Sequence, residues 1–329
     1  MTMKKLGNSD LEISPIGLGC WAIGGDGVFG WGPQDDAKSI AAIRRSVERG
    51  INWLDTAPIY GMGHSEKVVA QALNEIGSAD RPLVFTKCGL TWDDDKNVIH
   101  NITEGSIRQE VEDSLQRLQI DVIDLYQIHW PAFPPGADAP DIEEGWSTLA
   151  DLKEQGKVRA IGVSNFDPAQ LERAQKIAPI ASLQPPYSAL MRQIEDEILP
   201  HCLDNSIGTI VYSPMHNGML TGTMTRERVE AMPDSDWRKQ VNPAFKEPLL
   251  TQSLEFVEVL RGIADRHGRP VSEVAIAWTL RLPAVTGAIV GARDAGQVDG
   301  FIGALDFRLG DDDLFQACGA TADLSHLSS

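Results

Sequence analysis

The sequence predicts a closed (β/α)8 barrel with a small β-hairpin before it and a long loop after the seventh strand. Short apolar runs alternate with longer amphipathic stretches, which gives eight strand-to-helix steps. Strands that alternate with helices form a parallel sheet, and eight such units in about 290 residues fit a closed barrel better than an open sheet. The chain has no linker-like break, so we expect residues 1–329 to form one domain with the TIM-barrel architecture.

The elements follow one another in a regular order. Residues 4–15 alternate weakly around Gly7-Asn8-Ser9-Asp10, which indicates a hairpin. The predicted strands are short apolar runs at residues 16–20, 52–55, 83–87, 122–129, 160–164, 181–184, 209–213 and 288–291. The helices predicted after the first six strands cover residues 36–48, 65–74, 103–118, 142–155, 168–175 and 194–203. A long segment with two helical patterns follows the seventh strand, and a helix at residues 294–305 follows the eighth.

The second strand illustrates the pattern. Ile51 to Leu54 is a short apolar run, typical of a strand that is covered on both faces. Ala57-Pro58 then ends it, because proline cannot donate a hydrogen bond to a sheet. Asp55 and Tyr60 are therefore predicted to flank a loop at the end of this strand.

Composition and charge exclude several classes of protein. A net charge of −18 argues against nucleic-acid binding, because phosphates need a basic surface. No apolar run approaches the roughly 18 to 20 residues of a membrane span, and the first five residues lack the apolar core of a signal peptide, so we expect a cytoplasmic protein. The four cysteines have no metal-like spacing, which predicts free thiols and no metal site.

Polar residues concentrate where the predicted strands end. In a parallel barrel these ends converge on one mouth, where catalytic side chains lie. Taken singly, each residue has an ordinary structural explanation, such as a solvated strand end or a turn cap. Successive strands that end in Asp, Lys and His, with a Tyr on the loop after the Asp, favour a catalytic site instead. The residues at these ends are Asp55, Lys87, His129, Ser164, Asn165, Gln184, Tyr212, Ser213 and Arg293.

Several of these residues lie in longer motifs by which the chain resembles the aldo-keto reductase family from Leu6 to about Leu305. Gly24-Gly25 near Trp31-Gly32, together with the Gln-Pro-Pro-Tyr run, is similar to the bacterial general-stress-protein-like branch of that family. The motifs are Asp55-Thr56-Ala57 with Tyr60-Gly61 and Ser65-Glu66, Thr86-Lys87, Asp124-Leu125-Tyr126-Gln127-Ile128-His129-Trp130, Gly162-Val163-Ser164-Asn165-Phe166, Gln184-Pro185-Pro186-Tyr187 and Gly291-Ala292-Arg293.

The resemblance implies NADP-dependent reduction of aldehydes or ketones with a catalytic tetrad of Asp55, Tyr60, Lys87 and His129. A tyrosine is a weak acid, and we expect the Lys87 ammonium to lower its pKa while Asp55 keeps Lys87 charged. His129 would orient the carbonyl group. Tyr60 would then protonate the developing alkoxide as hydride arrives from the reduced nicotinamide.

The cofactor residues are also implied by the resemblance, because Gly17-Leu18-Gly19 with Gly24 has the wrong spacing for a dinucleotide-binding G-x-G-x-x-G motif. Ser164, Asn165 and Gln184 would hold the nicotinamide carboxamide, and Tyr212 would stack on its ring. The other expected contacts are Trp21 beside the cofactor, Ser213, Met215, Gly218 and Leu220 along the pyrophosphate, and Gly291, Arg293 and Gln297 at the adenosine end.

The choice between NADP and NAD depends on Arg293. Its guanidinium, with free N–H groups at the start of the last helix, suits a 2′-phosphate and favours NADP. Gly300-Phe301 stands where many relatives have Glu-Asn, so Gln297 is left to contact the adenine alone.

Two further regions are candidates for the site. Residues 216–248 form a long segment with five basic residues, which either closes over the cofactor or is a solvated insertion. Trp21, Trp92 and Trp130 are candidate walls of a pocket for a small carbonyl substrate, although each could be ordinary packing.

Two other functions stay open at this point. Lys87 could form a Schiff base, as in a class I aldolase, but Asp55 favours the charged amine, which cannot attack a carbonyl. The chain could also be a cofactor-binding sensor or accessory subunit with little turnover. The sequence does not reveal the natural substrate, the direction of reaction or the oligomeric state.

Overall fold

A computed structural model describes residues 2–26, 30–137, 141–234 and 236–321 and contains the predicted closed parallel barrel. Each barrel strand pairs with the barrel strand before it and the one after it, and the eighth pairs with the first through Ala288 and Ile16. The strands are Ile16–Gly19, Trp53–Asp55, Leu83–Cys88, Ile123–Ile128, Val158–Ser164, Ser182–Gln184, Gly208–Tyr212 and Val285–Gly291.

The helices that follow the first six strands cover the barrel from outside. Asp35 caps the first of them by accepting hydrogen bonds from two backbone N–H groups, and Asp167 and Gln170 form a capping box at the fifth. None of the described helices is both long enough and apolar enough to cross a membrane. The six helices are Asp36–Glu48, His64–Ile76, Glu104–Leu118, Ile142–Glu154, Pro168–Gln175 and Ile198–Asp204.

The N-terminal hairpin closes the amino-terminal end of the barrel. Its strands are Lys4–Lys5 and Glu12–Ile13. Lys4 Nζ donates to the carbonyl of Val285, the first residue of the eighth strand. The apolar hairpin side chains Leu6, Leu11 and Ile13 are fully buried with Trp53 and Phe85. The candidate active site lies at the opposite end of the barrel, where the strands end.

The segment after the seventh strand is more ordered than the long loop that the sequence predicts. Its residues have enough local helical pattern to form short turns, each stabilised by a cap or by packing. It contains His216–Thr221, Arg226–Glu230, Trp237–Val241 and Pro243–Phe245, and the longer helices Leu249–His267 and Val271–Thr279 complete it.

Several other predicted boundaries are wrong. The helix predicted at residues 294–305 is two pieces, Ala295–Asp299 and Ile302–Leu305, because the chain turns at Gly300, whose carbonyl accepts from Ser272 Oγ. The helix predicted at 194–203 likewise begins with a separate turn, Gln193–Glu195. A hairpin of Leu90–Trp92 and Val98–His100 and a last helix, Asp311–Thr321, are absent from the prediction, since short strands and an acidic, weakly amphipathic helix give little periodic signal.

Candidate active site

Asp55, Lys87 and Tyr60 meet at the carboxyl ends of the second and third barrel strands. Lys87 Nζ lies 2.6 Å from Asp55 Oδ1, 2.9 Å from the carbonyl oxygen of Thr56 and 3.3 Å from Tyr60 Oη. Lys87 is 0% exposed and Asp55 is 3% exposed, whereas Tyr60 is only half-buried. The ammonium thus has three oxygen partners, and one of them, the phenol, reaches the mouth of the barrel.

The second carboxylate oxygen of Asp55 is held by two buried amides. Gln184 Nε2 donates to Asp55 Oδ2 at 2.8 Å, and Gln127 Nε2 lies 3.4 Å from the same oxygen. These side chains come from the sixth and fourth strands. With Lys87 on one oxygen and the amides on the other, the orientation of Asp55 is fixed on both sides, as a buried charge requires.

Opposing effects set the pKa values of Lys87 and Tyr60. Burial alone would lower the pKa of Lys87, but the charges and hydrogen bonds of Asp55 and Tyr60 raise it above its ordinary value, so the amine stays an ammonium. Burial raises the pKa of Tyr60, and Lys87 opposes that rise without reversing it. Lys87 thus acts in the expected direction, but desolvation of the phenolate outweighs the attraction of the ammonium, so the net pKa of Tyr60 is raised.

His129 stands beside Tyr60 at the end of the fourth strand. The two rings lie 5.8 Å apart, with an angle of 80° between their planes. Burial, and then the charge of Lys87, lower the pKa of His129 well below its ordinary value. The imidazole is therefore neutral at neutral pH and can donate or accept one hydrogen bond at the mouth.

The loop that carries Tyr60 is fixed by a close backbone contact. Gly61 has φ 62°, and a Cβ atom there would lie 2.1 Å from the carbonyl oxygen of Gly24. Only glycine fits such an approach. Beneath the loop, Thr56 Oγ1 bonds Ser65 Oγ at 2.8 Å, and Ser65 Oγ donates to the carbonyl of Cys20.

Two buried glutamates support the strand that carries Lys87. Glu66 accepts from Thr86 Oγ1 at 2.7 Å and from Arg117 Nε at 2.5 Å. Glu110 accepts from the backbone N–H of Gly89 at 2.9 Å, directly beyond the end of the strand. Burial raises the pKa of Glu110 to about 7, although the hydrogen bonds from Gly89 and Ser106 oppose the rise.

A cavity of about 620 Å³ adjoins Tyr60. Of the predicted pocket walls, Trp92 lines this cavity, Trp130 packs with Trp92 and Tyr60 around Ile59 and Leu90, and the Trp21 ring lies 6.3 Å from the ring of Tyr60. Carboxylates outnumber cations in the lining, which consists of Asp26, Ile59, Gly61, Met62, Trp92, Asp93, Asp94 and Lys96.

The predicted nicotinamide contacts form one connected group. Asn165 Nδ2 donates to the carbonyl of His129 and to Ser164 Oγ, and Asn165 Oδ1 accepts from Tyr212 Oη at 3.0 Å. Ser164 Oγ donates to the backbone of Gln184. Most of their donors are thus used within the protein. Gln184 Nε2 donates to Asp55 Oδ2 and to Gln127 Oε1, whereas Gln184 Oε1 accepts no hydrogen bond from the described residues and is free to accept from a carboxamide.

The turn after the seventh strand contains the predicted pyrophosphate contacts. Ser213, Met215, Gly218 and Leu220 lie on it in sequence, and Ser213 Oγ donates to Asn217 Oδ1 at 3.1 Å. Gly218 has φ 94°, and a Cβ atom built there would lie 3.8 Å from Met224 Cε and 3.9 Å from Arg238 Nη1. The N–H groups of Gly218 and Leu220 both donate to the carbonyl of Met215, so the turn is closed on itself with the Arg238 guanidinium beside it.

The predicted adenosine end is exposed and is capped by Asp294. Arg293 is exposed, and its guanidinium has no partner among the residues that the structure describes. Two N–H groups are used there: Asp294 Oδ1 accepts from the backbone of Gln297, and Gln297 Oε1 accepts from the backbone of Arg293. The N–H groups of Ala295 and Gly296, the first two residues of the helix, have no partner among the described residues. Phe301 is buried in the core, and Gly291, at the end of the eighth strand, is exposed.

The segment after the seventh strand meets the loop after the first through aromatic rings. Trp237 of the segment lies 5.4 Å from both Trp21 and Trp31, measured between ring centroids. Each basic residue of the segment bonds to a neighbour in or beside the segment, and Arg238 Nη1 also lies 3.9 Å from the Cβ position of Gly218. These pairs are Arg226 with Glu247, Arg228 with Thr223, Arg238 with Asp236, Lys239 with Asp234 and Lys246 with Gln240.

Sequence reasoning missed several residues of the site. Gln127 is a polar residue inside a buried apolar strand, and that contrast could have identified it. Glu110 gave no signal, because a glutamate on a helix usually faces solvent. Gln34, whose Nε2 donates to the carbonyl of Arg293 at 2.8 Å, joins the loop after the first strand to the adenosine end. Among the described residues no group of three or more His, Cys, Asp and Glu could hold a metal ion, and Cys20, Cys88, Cys202 and Cys318 form no disulfide bond.

The fold and the site together define a class of protein. A phenol that stays protonated beside a buried ammonium, at the mouth of a parallel barrel, suits an oxidoreductase that acts on carbonyl groups. The chain belongs to the aldo/keto reductase family, since the sequence model of that family matches residues 15–319. The predicted family and fold are thus confirmed, and members of this family use nicotinamide cofactors.

Named relatives agree with the assignment. The chain is 38% identical to the aldo-keto reductase YhdN of Bacillus subtilis, over 91% of this chain and 87% of the relative. It is 36% identical to the NADH-specific methylglyoxal reductase of Escherichia coli, over 94% and 96%. Among solved structures it is similar to the glycerol dehydrogenase AKR11B4 of Gluconobacter oxydans, with a TM-score of 0.87 and 37% identity over 98% of this chain and 95% of that one.

Proposed function

We propose that this protein reduces small aldehydes or ketones to alcohols with NADP(H), and that Tyr60 is the proton donor. The observation that carries the proposal is the contact of one buried ammonium, Lys87 Nζ, with both the Asp55 carboxylate and the Tyr60 phenol. Positioning and electrostatic stabilisation at a preorganised site account for most of the acceleration that such an arrangement provides.

Each member of the tetrad has a distinct role in this proposal. Tyr60, protonated because burial raises its pKa, gives its proton to the oxygen of the substrate. Lys87 then stabilises the tyrosinate at 3.3 Å, and Asp55 keeps Lys87 charged. Neutral His129 orients the carbonyl oxygen towards Tyr60. The reduced nicotinamide, when bound, supplies the hydride.

The residues of the chain fit a nicotinamide dinucleotide. Gln184 keeps a carbonyl oxygen available, the ring of Tyr212 is held by Asn165, and the Arg238 guanidinium lies beside Gly218 in the turn after the seventh strand. Arg293 offers an unpaired guanidinium that favours the 2′-phosphate of NADP. Asp294 already accepts from the N–H group of Gln297 nearby. We therefore expect NADPH to bind about tenfold more tightly than NADH, which is at the lower end of what charge-assisted hydrogen bonds give.

NAD is the second candidate cofactor. Asp294 places a carboxylate at the start of the helix beside Arg293, which disfavours a phosphate there. The relative from Escherichia coli is named as NADH-specific. Parallel assays with NADPH and NADH therefore decide the cofactor.

The surroundings of Lys87 argue against the two alternative functions, the Schiff-base aldolase and the sensor. A Schiff base needs a neutral amine, but Asp55 and Tyr60 raise the pKa of Lys87. A sensor with little turnover would not need a proton donor next to a buried ammonium. Residence in the cytoplasm stays a prediction.

The experiment that tests the proposal is a panel of aldehydes and ketones assayed with NADPH and NADH in parallel. Because Asp26, Asp93 and Asp94 line the cavity, we expect neutral or cationic substrates to be reduced more efficiently than anionic ones of equal size. Absence of turnover with the whole panel, while cofactor still binds, would favour the sensor.

A further inference from the structure

The turn after the seventh strand needs contacts that hold an unusual backbone. Ser213, His216 and Asn217 have φ of 58°, 47° and 56°, and Gly218 has φ 94°. Non-glycine residues rarely adopt this left-handed conformation, so it persists only where the surrounding structure imposes it. Ser213 contributes one such contact through Asn217. Thr221 Oγ1 contributes another through the carbonyl of Gly218, and the side chain of His216 contributes two more.

His216 is buried and bonds through both ring nitrogens. Its Nδ1 lies 3.0 Å from Ser188 Oγ, and its Nε2 lies 3.2 Å from Asn242 Oδ1. Ser188 lies on the loop after the sixth strand, and Asn242 lies in the segment after the seventh. Only 5% of His216, 1% of Ser188 and 7% of Asn242 are exposed. One imidazole therefore ties the turn to two other parts of the chain.

The direction of these hydrogen bonds follows from the neighbours. Asn242 Oδ1 also accepts the backbone N–H of Ala244 at 3.0 Å, so the oxygen of this amide faces the ring. Nε2 must then carry the proton and donate, which leaves Nδ1 to accept from Ser188 Oγ–H. Burial lowers the pKa of His216 to about 4, so the ring is neutral at neutral pH. A single tautomer satisfies both contacts.

We propose that His216 is a positioning residue for cofactor binding: its two hydrogen bonds fix the turn at residues 213–220 in the conformation that receives the pyrophosphate. The inference rests on the proposed function, in which this turn holds the pyrophosphate of the dinucleotide. The shape of the turn decides how closely an anion can approach its backbone and the Arg238 guanidinium beside Gly218. His216 acts on that shape through the backbone and needs no contact with the cofactor.

The test measures the dissociation constant for NADPH by titration calorimetry and kcat at saturating cofactor. His216→Phe keeps a ring of similar size and removes both hydrogen bonds. We expect its dissociation constant to rise about tenfold while kcat changes less than about twofold, because chemistry at Tyr60 is untouched. His201→Phe is the matched control. His201 is half-buried on the helix Ile198–Asp204, and its side chain makes no hydrogen bond to the turn.

Two smaller changes keep the test decisive if His216→Phe fails to fold. His216→Asn retains a residue that tolerates left-handed backbone and an acceptor for Ser188, but it loses the donor to Asn242. His216→Gln retains a donor for Asn242. We expect each to weaken NADPH binding by about two- to fivefold, and we expect Ser188→Ala to add little to the effect of His216→Phe, because both remove the same contact.

The outcomes separate the inference from the proposed function. An unchanged dissociation constant in folded His216 variants, or a fall in kcat alone, would overturn the role of His216 and leave carbonyl reduction intact. A wild-type protein that binds neither NADPH nor NADH would overturn the proposed function, and the inference with it. A raised dissociation constant in the His216 variants but not in His201→Phe would support the inference.

Discussion

The two ends of the proposed cofactor site are built in opposite ways. At the reacting end, Lys87 and Asp55 are buried, and their polar atoms bond to residues from four different barrel strands or the loops after them. At the adenosine end, Arg293 and Gln297 are exposed, and Gln297 bonds to the backbone of a residue only four positions away. Charges interact strongly where water is excluded and weakly where it is not. We therefore expect the first end to determine the reaction and the second only to adjust which cofactor is preferred.

The largest expected effect comes from removing the buried ammonium. Lys87→Met should lower kcat by roughly 100- to 10,000-fold, the range of general acid–base catalysis. The pH dependence of reduction should shift as well, because the Tyr60 phenol loses the ammonium that opposes the rise of its pKa. Rates of reduction across pH give the measurement, and Lys67→Met, at an exposed lysine, serves as the control. A pH profile that matches wild type would contradict the role of Lys87 beside Tyr60.

A second effect tests the burial of groups around the reacting end. Because the pKa of Glu110 is about 7 in the folded protein and 4.5 for a free side chain, the folded state binds its proton more tightly. Protonated Glu110 therefore stabilises the folded state fully below about pH 4.5. This stabilisation, about 3 kcal/mol, is lost as the pH rises through 7. The free energy of unfolding of wild type should therefore fall relative to that of Glu110→Gln over this range. The exposed Glu112→Gln is the control; parallel curves for wild type and Glu110→Gln would refute the raised pKa.

The smallest effect is expected at the exposed end. Arg293→Ala should raise the dissociation constant for NADPH by about tenfold, or about 1.4 kcal/mol, and change that for NADH little. Tryptophan fluorescence at fixed salt measures both constants. Arg44→Ala, which removes the same charge from a surface position far along the chain, where it pairs with Glu75, is the control. Equal losses for NADPH and NADH would show that Arg293 is a structural residue at the start of the helix.

The same contrast explains how much the sequence could predict. Asp55, Lys87 and His129 end apolar strands, and strand ends of a parallel barrel converge, so their proximity follows from periodicity and resemblance. The sign of the pKa shift of Tyr60 could not be predicted, because it depends on how deeply the phenol is buried. Nor could the cap of Asp294 on Gln297, the contacts of Glu110 or the ties of His216, since each depends on the packing of loops or of residues far apart in the chain.

The most direct test of the central claim is single-turnover reduction of a carbonyl substrate by wild type and Tyr60→Phe, with the dissociation constant for the cofactor measured alongside. The phenol is proposed to supply the proton and nothing else, so Tyr60→Phe should bind NADPH within about twofold of wild type and lose at least about 100-fold in the rate of reduction. Reduction at a rate near that of wild type, with the cofactor equally well bound, would contradict the assignment of Tyr60 as the proton donor.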